Sequence, residues 1–195
     1  MISDFNEVII TDINSLIDSI DDIERVFRHS KAYRVFLKYM KETLKMRKCD
    51  YFVSNEEYKT LDFVDSKIDL ELHHQIRLYE LALMAGQYLL DRIDVTKGEY
   101  FTIFDVVNEL IVMHYEDYLP FVMMSTTIHQ LYHNGLYTLK DNETVHKGRT
   151  KEFIEKYNDY ITEDIINHYK EINIDITQYI KHKKEVESNV SVETT

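Results

Sequence analysis

The chain has 195 residues, 35 of them acidic and 23 basic, and a formal net charge of −12 at pH 7. This length can bury a real core, either in one domain with an appendage or in two small domains. We expect neither a membrane span nor secretion, because no apolar run approaches the ~18 residues that a bilayer requires and the N-terminus lacks a signal-peptide pattern. The single Cys49 excludes an internal disulfide and favours a reducing cytoplasm as the location.

The composition predicts a mostly helical chain, because four glycines and one proline leave few sites for tight turns. The acidic net charge would ordinarily argue against a nucleic-acid partner. The charges are unevenly spread, however. Every charged side chain in residues 1–24 is acidic, and isoleucines together with Leu16 recur there at helical spacing.

Residues 25–48 carry a concentrated set of bases against the single acid Glu42. Most of these bases are three or four positions apart, which predicts a basic stripe on one helical face. Two interpretations stay open: a solvated face that pairs with acids elsewhere, and a helix that contacts DNA phosphates. The bases predicted to contact the DNA backbone are Arg28, Lys31, Arg34, Lys38, Lys41 and Lys45. The predicted core side comprises Val26, Phe27, Val35, Phe36, Leu37, Met40 and Leu44.

The middle of the chain predicts strands and apolar helices in turn. Residues 49–67 suggest an irregular connection with a short strand at 51–53, and the alternation of apolar and polar residues predicts a half-buried strand over 68–74. Two apolar helices over 77–93 and 101–118 follow, and their large aliphatic residues are predicted core.

Residues 121–135 predict a strand, a helix start and a short helix. A run of β-branched and Met residues leads into Ser-Thr-Thr, and Asn134 with Gly135 resembles a left-handed helix end. His129 and His133 then share one helical face and could bind one ion, although a His pair at this spacing is more often structural. A second pair, His73 and His74, ends the upstream strand. Residues 150–172 predict one or two amphipathic helices before a polar tail.

The segments LELHHQI, PFVMM and TTIHQLYHNGL, taken in this order, resemble the HNH or ββα-metal endonucleases, and within them a phage-encoded branch similar to homing endonucleases. The resemblance covers roughly residues 49–137, and its specific part is limited to 71–76 and 121–136. It implies an α+β, mostly helical fold with a small ββα-metal core and a helical insertion. The predicted division is then 1–48, 49–137 and 138–195, with helical additions at both ends.

The resemblance also implies a role for each histidine. His73, His129 and His133 would bind one divalent metal ion, Mg²⁺ or a transition metal such as Zn²⁺, Ni²⁺ or Mn²⁺. His74 would be the general base that activates water for hydrolysis of a DNA phosphodiester. Adjacent strand residues point to opposite faces, which agrees with separate tasks for His73 and His74.

The sequence departs from this family in one important position. Pro120 occupies the place of the Asn that orients the base-bearing loop, so that this role is either absent or taken by Asp117 or another nearby polar residue. His114 and Arg77 are further accessory candidates, each with a structural role as the alternative. The departure leaves an inactive descendant as an alternative.

We predict from the paired motifs a metal-dependent DNA endonuclease, phage-encoded and located in the host cytoplasm, with DNA as its partner and no membrane partner. The alternative from charge is a non-enzymatic acidic helical protein that binds and inhibits a basic host protein, with incidental histidines. The motifs specify one site whereas net charge describes association in general, which favours the nuclease. The sequence does not specify an oligomeric state.

Overall fold

The computed structural model of the chain describes residues 8–44, 46, 70–139 and 146–180. These ranges form helices, short strands and three single-turn 3-10 helices, so the predicted mostly helical α+β class is confirmed. The strands are β1 (Ile9–Ile10), β2 (Leu70–His74), β3 (Phe101–Thr102) and β4 (Phe121–Ser125). The helices are α1 (Ile13–Asp18), α2 (Ile20–His29), α3 (Lys31–Glu42), α4 (Leu78–Leu90), α5 (Ile103–Tyr115), α6 (Thr126–His133), α7 (Thr150–Tyr157) and α8 (Glu163–Glu171). The 3-10 helices are Val95–Lys97, Asn158–Tyr160 and Thr177–Tyr179.

The predicted basic helix is interrupted at Ser30. This residue ends α2 in an extended conformation, with φ −65° and ψ 147°, and its hydroxyl accepts a hydrogen bond from the backbone N–H of Tyr33 at 3.0 Å to start α3. The bases of 25–48 therefore do not lie along a single helix. Val35 and Leu44, predicted as core, are 48% and 40% exposed, because α3 turns Tyr33, Phe36 and Met40 inward instead.

Strands β2 and β4 pair antiparallel, and α6 follows β4 directly. Ser125 caps α6 by accepting a hydrogen bond from the N–H of Ile128 at 3.3 Å. The helix ends at Asn134, and Gly135 has a φ of 68° that other residues rarely adopt. The strand, cap, helix and stop predicted for 121–135 are all confirmed.

A second small sheet joins distant parts of the chain and was not predicted. Strand β1 pairs with β3, with Ile9 opposite Thr102 and Ile10 opposite Phe101. The predicted helix over 101–118 therefore begins later, at Ile103. Thr102 sets this start, because its N–H and hydroxyl both donate to the Asp105 carboxylate at 2.8 Å.

The main core lies where α2, α4 and α5 pack on one another, with α1 against α4. One apolar cluster draws on the N-terminal, central and C-terminal helices, and its fully buried members include Leu16, Ile23, Phe27, Leu81, Leu110, Phe153 and Tyr169. A separate, smaller cluster of Val122, Met124 and Ile128 lies between α6 and the outer face of β4. Helix α6 is thus held to the protein by few buried apolar groups.

Side-chain and backbone contacts close the edges of the β2–β4 sheet. Phe121 and His146 exchange two backbone hydrogen bonds of 2.8 Å on the side of β4 away from β2. The Lys41 ammonium donates to the Leu70 carbonyl at 3.0 Å. Close by, Gly148 has a φ of 64°, and a Cβ there would lie 2.7 Å from the carbonyl oxygen of Leu119, so that only glycine fits.

Several predictions lie outside the described residues: the strand at 51–53, Lys45, Cys49 and the tail over 185–195. The three-part division at 48/49 and 137/138 stays a prediction. Within the described ranges, none of the helices has both the length and the apolar character needed to cross a lipid bilayer.

The contact of α1 with α4 provides a test of core packing. A Cβ at Gly86 would lie 2.4 Å from the Leu16 methyl groups, so Gly86→Ala should lower the free energy of unfolding by about 1 kcal/mol despite the better helix propensity of Ala. Leu16→Ala should cost about 2 to 5 kcal/mol, because Leu16 is fully buried. In the Leu16→Ala background, Gly86→Ala should become neutral or stabilising, because its added methyl group fills the space that the Leu16 side chain leaves.

Urea unfolding of the four proteins measures this coupling. Ile17→Ala is the matched control, because Ile17 is 47% exposed on the same helix and should cost less than about 1 kcal/mol. Strictly additive effects of the Leu16 and Gly86 changes would contradict the packing described.

Candidate metal centre

Strand β2 separates its two histidines because successive residues face opposite sides of the sheet. In the pairing with β4, His73 lies opposite Val122 and His74 opposite Phe121. The His73 ring packs against Tyr132 of α6, with ring centroids 4.5 Å apart. The His74 ring faces the other way, towards α5. The opposite orientation predicted for the pair is confirmed.

His73, His129 and His133 converge between β2 and α6. One nitrogen from each of the three lies within 4.8 Å of the other two. His73 Nδ1 is 3.2 Å from His129 Nε2, and His133 Nε2 is 2.9 Å from the same His129 atom. The two helix histidines meet because positions four apart stack on one helical face. Imidazole nitrogens arranged in this way are ligands suited to a transition-metal ion.

Glu71 completes this cluster from the strand and was not predicted as a site residue. Its carboxylate accepts a hydrogen bond from His129 Nδ1, and its other oxygen accepts one from the Thr126 hydroxyl at 3.2 Å. A signal for Glu71 was present in the sequence, because it lies two positions before His73 and so on the same face of the strand.

The surroundings lower the pKa of two imidazoles of the cluster, which favours the neutral, metal-binding form of His73 and His133. Burial lowers the pKa of His73 to about 3, with smaller contributions from the neighbouring histidines. Burial and His129 also lower the pKa of His133. The hydrogen bond from His129 lowers the pKa of the Glu71 carboxyl, which is therefore ionised at neutral pH.

His74 belongs to a different group of side chains. Its Nε2 is 2.8 Å from Nε2 of His114, whose Nδ1 donates to the Leu110 carbonyl at 2.6 Å. Because a carbonyl only accepts, the neutral His114 presents a lone pair at Nε2, and His74 must donate its Nε2 proton to it. The rings of Phe27, Tyr33, Phe36 and Phe121 surround the pair.

This pair is held neutral by its surroundings. Burial, and after it the charge interaction with His114, hold the pKa of His74 well below 6.5. Burial also lowers the pKa of His114 to about 4. In this arrangement the Nε2 nitrogen of His74 is a donor, and its Nδ1 nitrogen carries the lone pair. His114 is buried, whereas His74 is only partly buried and also lines a cavity beside the three-histidine cluster.

A cavity of about 440 Å³ adjoins the cluster, and its lining includes His73, His133 and Arg77. His168 and Glu171 also line it. His168 forms an ion pair with Glu80 at 3.1 Å, and the hydrogen bond to Glu80 raises the pKa of His168.

The other accessory candidates lie apart from the cluster. The carboxylate of Asp117 pairs with His146 Nε2 at 2.5 Å, so it does not take the place of the missing Asn. The carbonyl of Pro120 accepts a hydrogen bond from the Gln75 N–H at 3.3 Å and is a backbone element of the sheet end.

The basic residues predicted to bind DNA are partly paired with local acids. Arg28 lies 3.5 Å from Glu24 and Lys38 lies 3.8 Å from Glu42. Lys31 and Arg34 are exposed on α3. These contacts agree with a solvated face, and DNA binding by the stripe stays a prediction.

A protein-family model described as Bacteriophage G278-like virion protein matches residues 2–194. Searches of curated proteins and of solved structures gave no match.

This match overturns the sequence-based identification. The assignment to the HNH endonucleases, and with it the predicted nuclease and homing-endonuclease activity, is wrong, because the matching family describes a component of the phage particle. The expected enzyme class and the host cytoplasm as location are wrong for the same reason. The predicted link to a bacteriophage agrees with the match. The alternative, an inhibitor of a basic host protein, is not supported either, and the ββα unit is not shown to be an HNH core.

The buried His114 predicts that the folded protein loses stability in acid. Because the pKa of His114 is near 4 in the folded protein and near 6.5 when unfolded, the unfolded chain binds the proton more readily. Stability is therefore full above pH 6.5 and should fall by about 3 kcal/mol from His114 alone as the pH drops towards 4. His114→Phe should lower stability at pH 7.5 but flatten this dependence.

Urea unfolding at several pH values between 7.5 and 4, in the presence of a chelator, measures the slope of unfolding free energy against pH for the wild type and for His114→Phe. His29→Ala removes an exposed histidine from α2 and should leave the slope unchanged. Equal slopes for the wild type and His114→Phe would show that the pair does not control the acid response.

Proposed function

The chain belongs to the bacteriophage G278-like virion protein family, and from this premise we propose that it is a structural, non-enzymatic component of the phage particle. The observation that carries the proposal is the extent of the match, residues 2–194 of 195. The matched region includes both β sheets, the helical core and the histidine cluster.

The geometry supports a structural role. His74 donates its Nε2 proton to His114 beside an aromatic cluster. Its neighbours Phe36 and Phe121 join α3, β4 and α5. This pair therefore contributes to the cohesion of three elements, as expected of a packing group.

The proposal predicts that the protein copurifies with intact particles. Particles banded twice in a density gradient, treated with nuclease and washed in high salt, should contain the protein at a fixed copy number relative to the major capsid protein. Isotope-labelled reference peptides from the chain allow this number to be measured by mass spectrometry. High salt removes proteins held only by weak surface charge pairs.

An abundant host cytoplasmic protein is the control for contamination, and it should fall with each purification step while the copy number of this chain stays constant. A protein that is abundant in infected-cell lysate but is lost from banded particles together with the host control would overturn the proposal.

A further inference from the structure

We propose that His73, His129 and His133 bind one divalent transition-metal ion of the zinc type, which cross-links strand β2 to helix α6. The ion has a structural role here. The inference goes beyond membership of the particle and does not depend on it, because it rests on the histidine cluster alone.

The spacing of the three nitrogens matches one coordination sphere. A tetrahedral zinc ion about 2.0 to 2.1 Å from each imidazole nitrogen places neighbouring ligand atoms about 3.3 Å apart. The two distances to His129 Nε2 are 3.2 Å from His73 Nδ1 and 2.9 Å from His133 Nε2. Two of the three spacings are therefore close to those of one coordination sphere, and all three nitrogens lie within 4.8 Å of one another.

Proton accounting favours an ion over hydrogen bonds among the histidines. With Glu71 accepting the Nδ1 proton of His129, the Nε2 atom of His129 has one lone pair for two neighbouring nitrogens. If His129 were instead protonated, it would offer one proton to two acceptors. Either assignment leaves one nitrogen poorly satisfied, whereas a cation accepts all three lone pairs.

Glu71 acts as a positioning residue for the ion. Metal-binding histidines generally donate their second ring proton to a carboxylate or carbonyl, which fixes the ring and strengthens the ligand. Glu71 does this for His129, and the Thr126 hydroxyl holds the other carboxylate oxygen. The link joins β2 to α6 a second time, in parallel with the metal.

The ligand set determines the class of metal. Three imidazoles favour Zn²⁺ and its transition-metal neighbours, whereas Mg²⁺ prefers oxygen ligands in an octahedral arrangement. Three protein ligands leave a fourth position, and the cavity lined by His73 and His133 adjoins it. A water molecule or an anionic group could occupy that position.

The location explains what the ion contributes. Helix α6 has eight residues, of which only Ile128 is buried, and isolated helices of that length are not stable in water. A metal bound by two of its side chains and one strand side chain supplies the attachment that its apolar face does not.

Calorimetric titration of untagged, chelator-treated full-length protein with Zn²⁺ tests the proposal. We expect one equivalent to bind, with no binding of Mg²⁺ under the same conditions, and the metal should raise the Tm by about 5 to 10 °C at a hundredfold excess over Kd. Co²⁺ should give the visible absorption of a four-coordinate ion. Hydrogen exchange of the α6 amides should slow on addition of Zn²⁺, while α4 provides an internal reference.

Variants separate binding from folding. His129→Ala and His133→Ala should each lower the affinity at least a hundredfold, and Glu71→Gln should lower it about 10- to 100-fold. His29→Ala removes a histidine remote from the cluster and should bind as the wild type does. All variants should keep the metal-free Tm and circular dichroism of the wild type to within a few degrees.

Failure of the folded wild type to bind Zn²⁺ would overturn the proposal, as would undiminished binding by both the His129 and His133 variants. Binding of Zn²⁺ without slower exchange in α6 would overturn the cross-linking role. None of these outcomes bears on whether the chain is present in particles, which the gradient experiment decides separately.

Discussion

The antiparallel pairing of β2 with β4 is the constraint on which the arrangement of the histidines depends. His73 lies opposite Val122 and His74 opposite Phe121, and this register sends one imidazole towards α6 and the other towards α5. A slip by one residue would exchange the two faces. The histidine–histidine contact in the core and the three-histidine cluster at the surface would then both be lost.

Histidines of this chain lie in two different environments. In the aromatic cluster, His74 and His114 form a hydrogen bond that satisfies buried nitrogens, and low polarity keeps both neutral. Beside α6, the carboxylate of Glu71 and the partial exposure of His129 create a place for positive charge. A motif of histidines at the end of a strand and along a helix is compatible with either environment, and so does not establish an activity.

Local features were predictable from the sequence. Alternation over 68–74 gave β2, and the Ser-Thr-Thr start with the Asn-Gly stop gave α6, because caps and strand periods are set by neighbouring residues. The pairing of β1 with β3 was not predictable, because it joins residues more than ninety positions apart.

The break at Ser30 was missed because the basic spacing continues across it, although the serine hydroxyl caps α3. His114 was identified only as an accessory candidate, because its contact with His74 depends on how α5 packs on the sheet. The nuclease assignment was wrong because it rested on two short motifs, whereas the family match spans residues 2–194.

The closed edges of the small sheet affect how copies of the protein can meet. An open strand edge exposes unpaired backbone groups to which another chain can add. Here the backbone N–H and C=O of Phe121 in β4 are hydrogen-bonded to His146. The Leu70 carbonyl of β2 accepts a hydrogen bond from the Lys41 ammonium. These two contacts oppose the addition of another strand at both positions. Another chain that paired with the sheet at Phe121 or Leu70 would first have to displace a contact that the folded protein already makes.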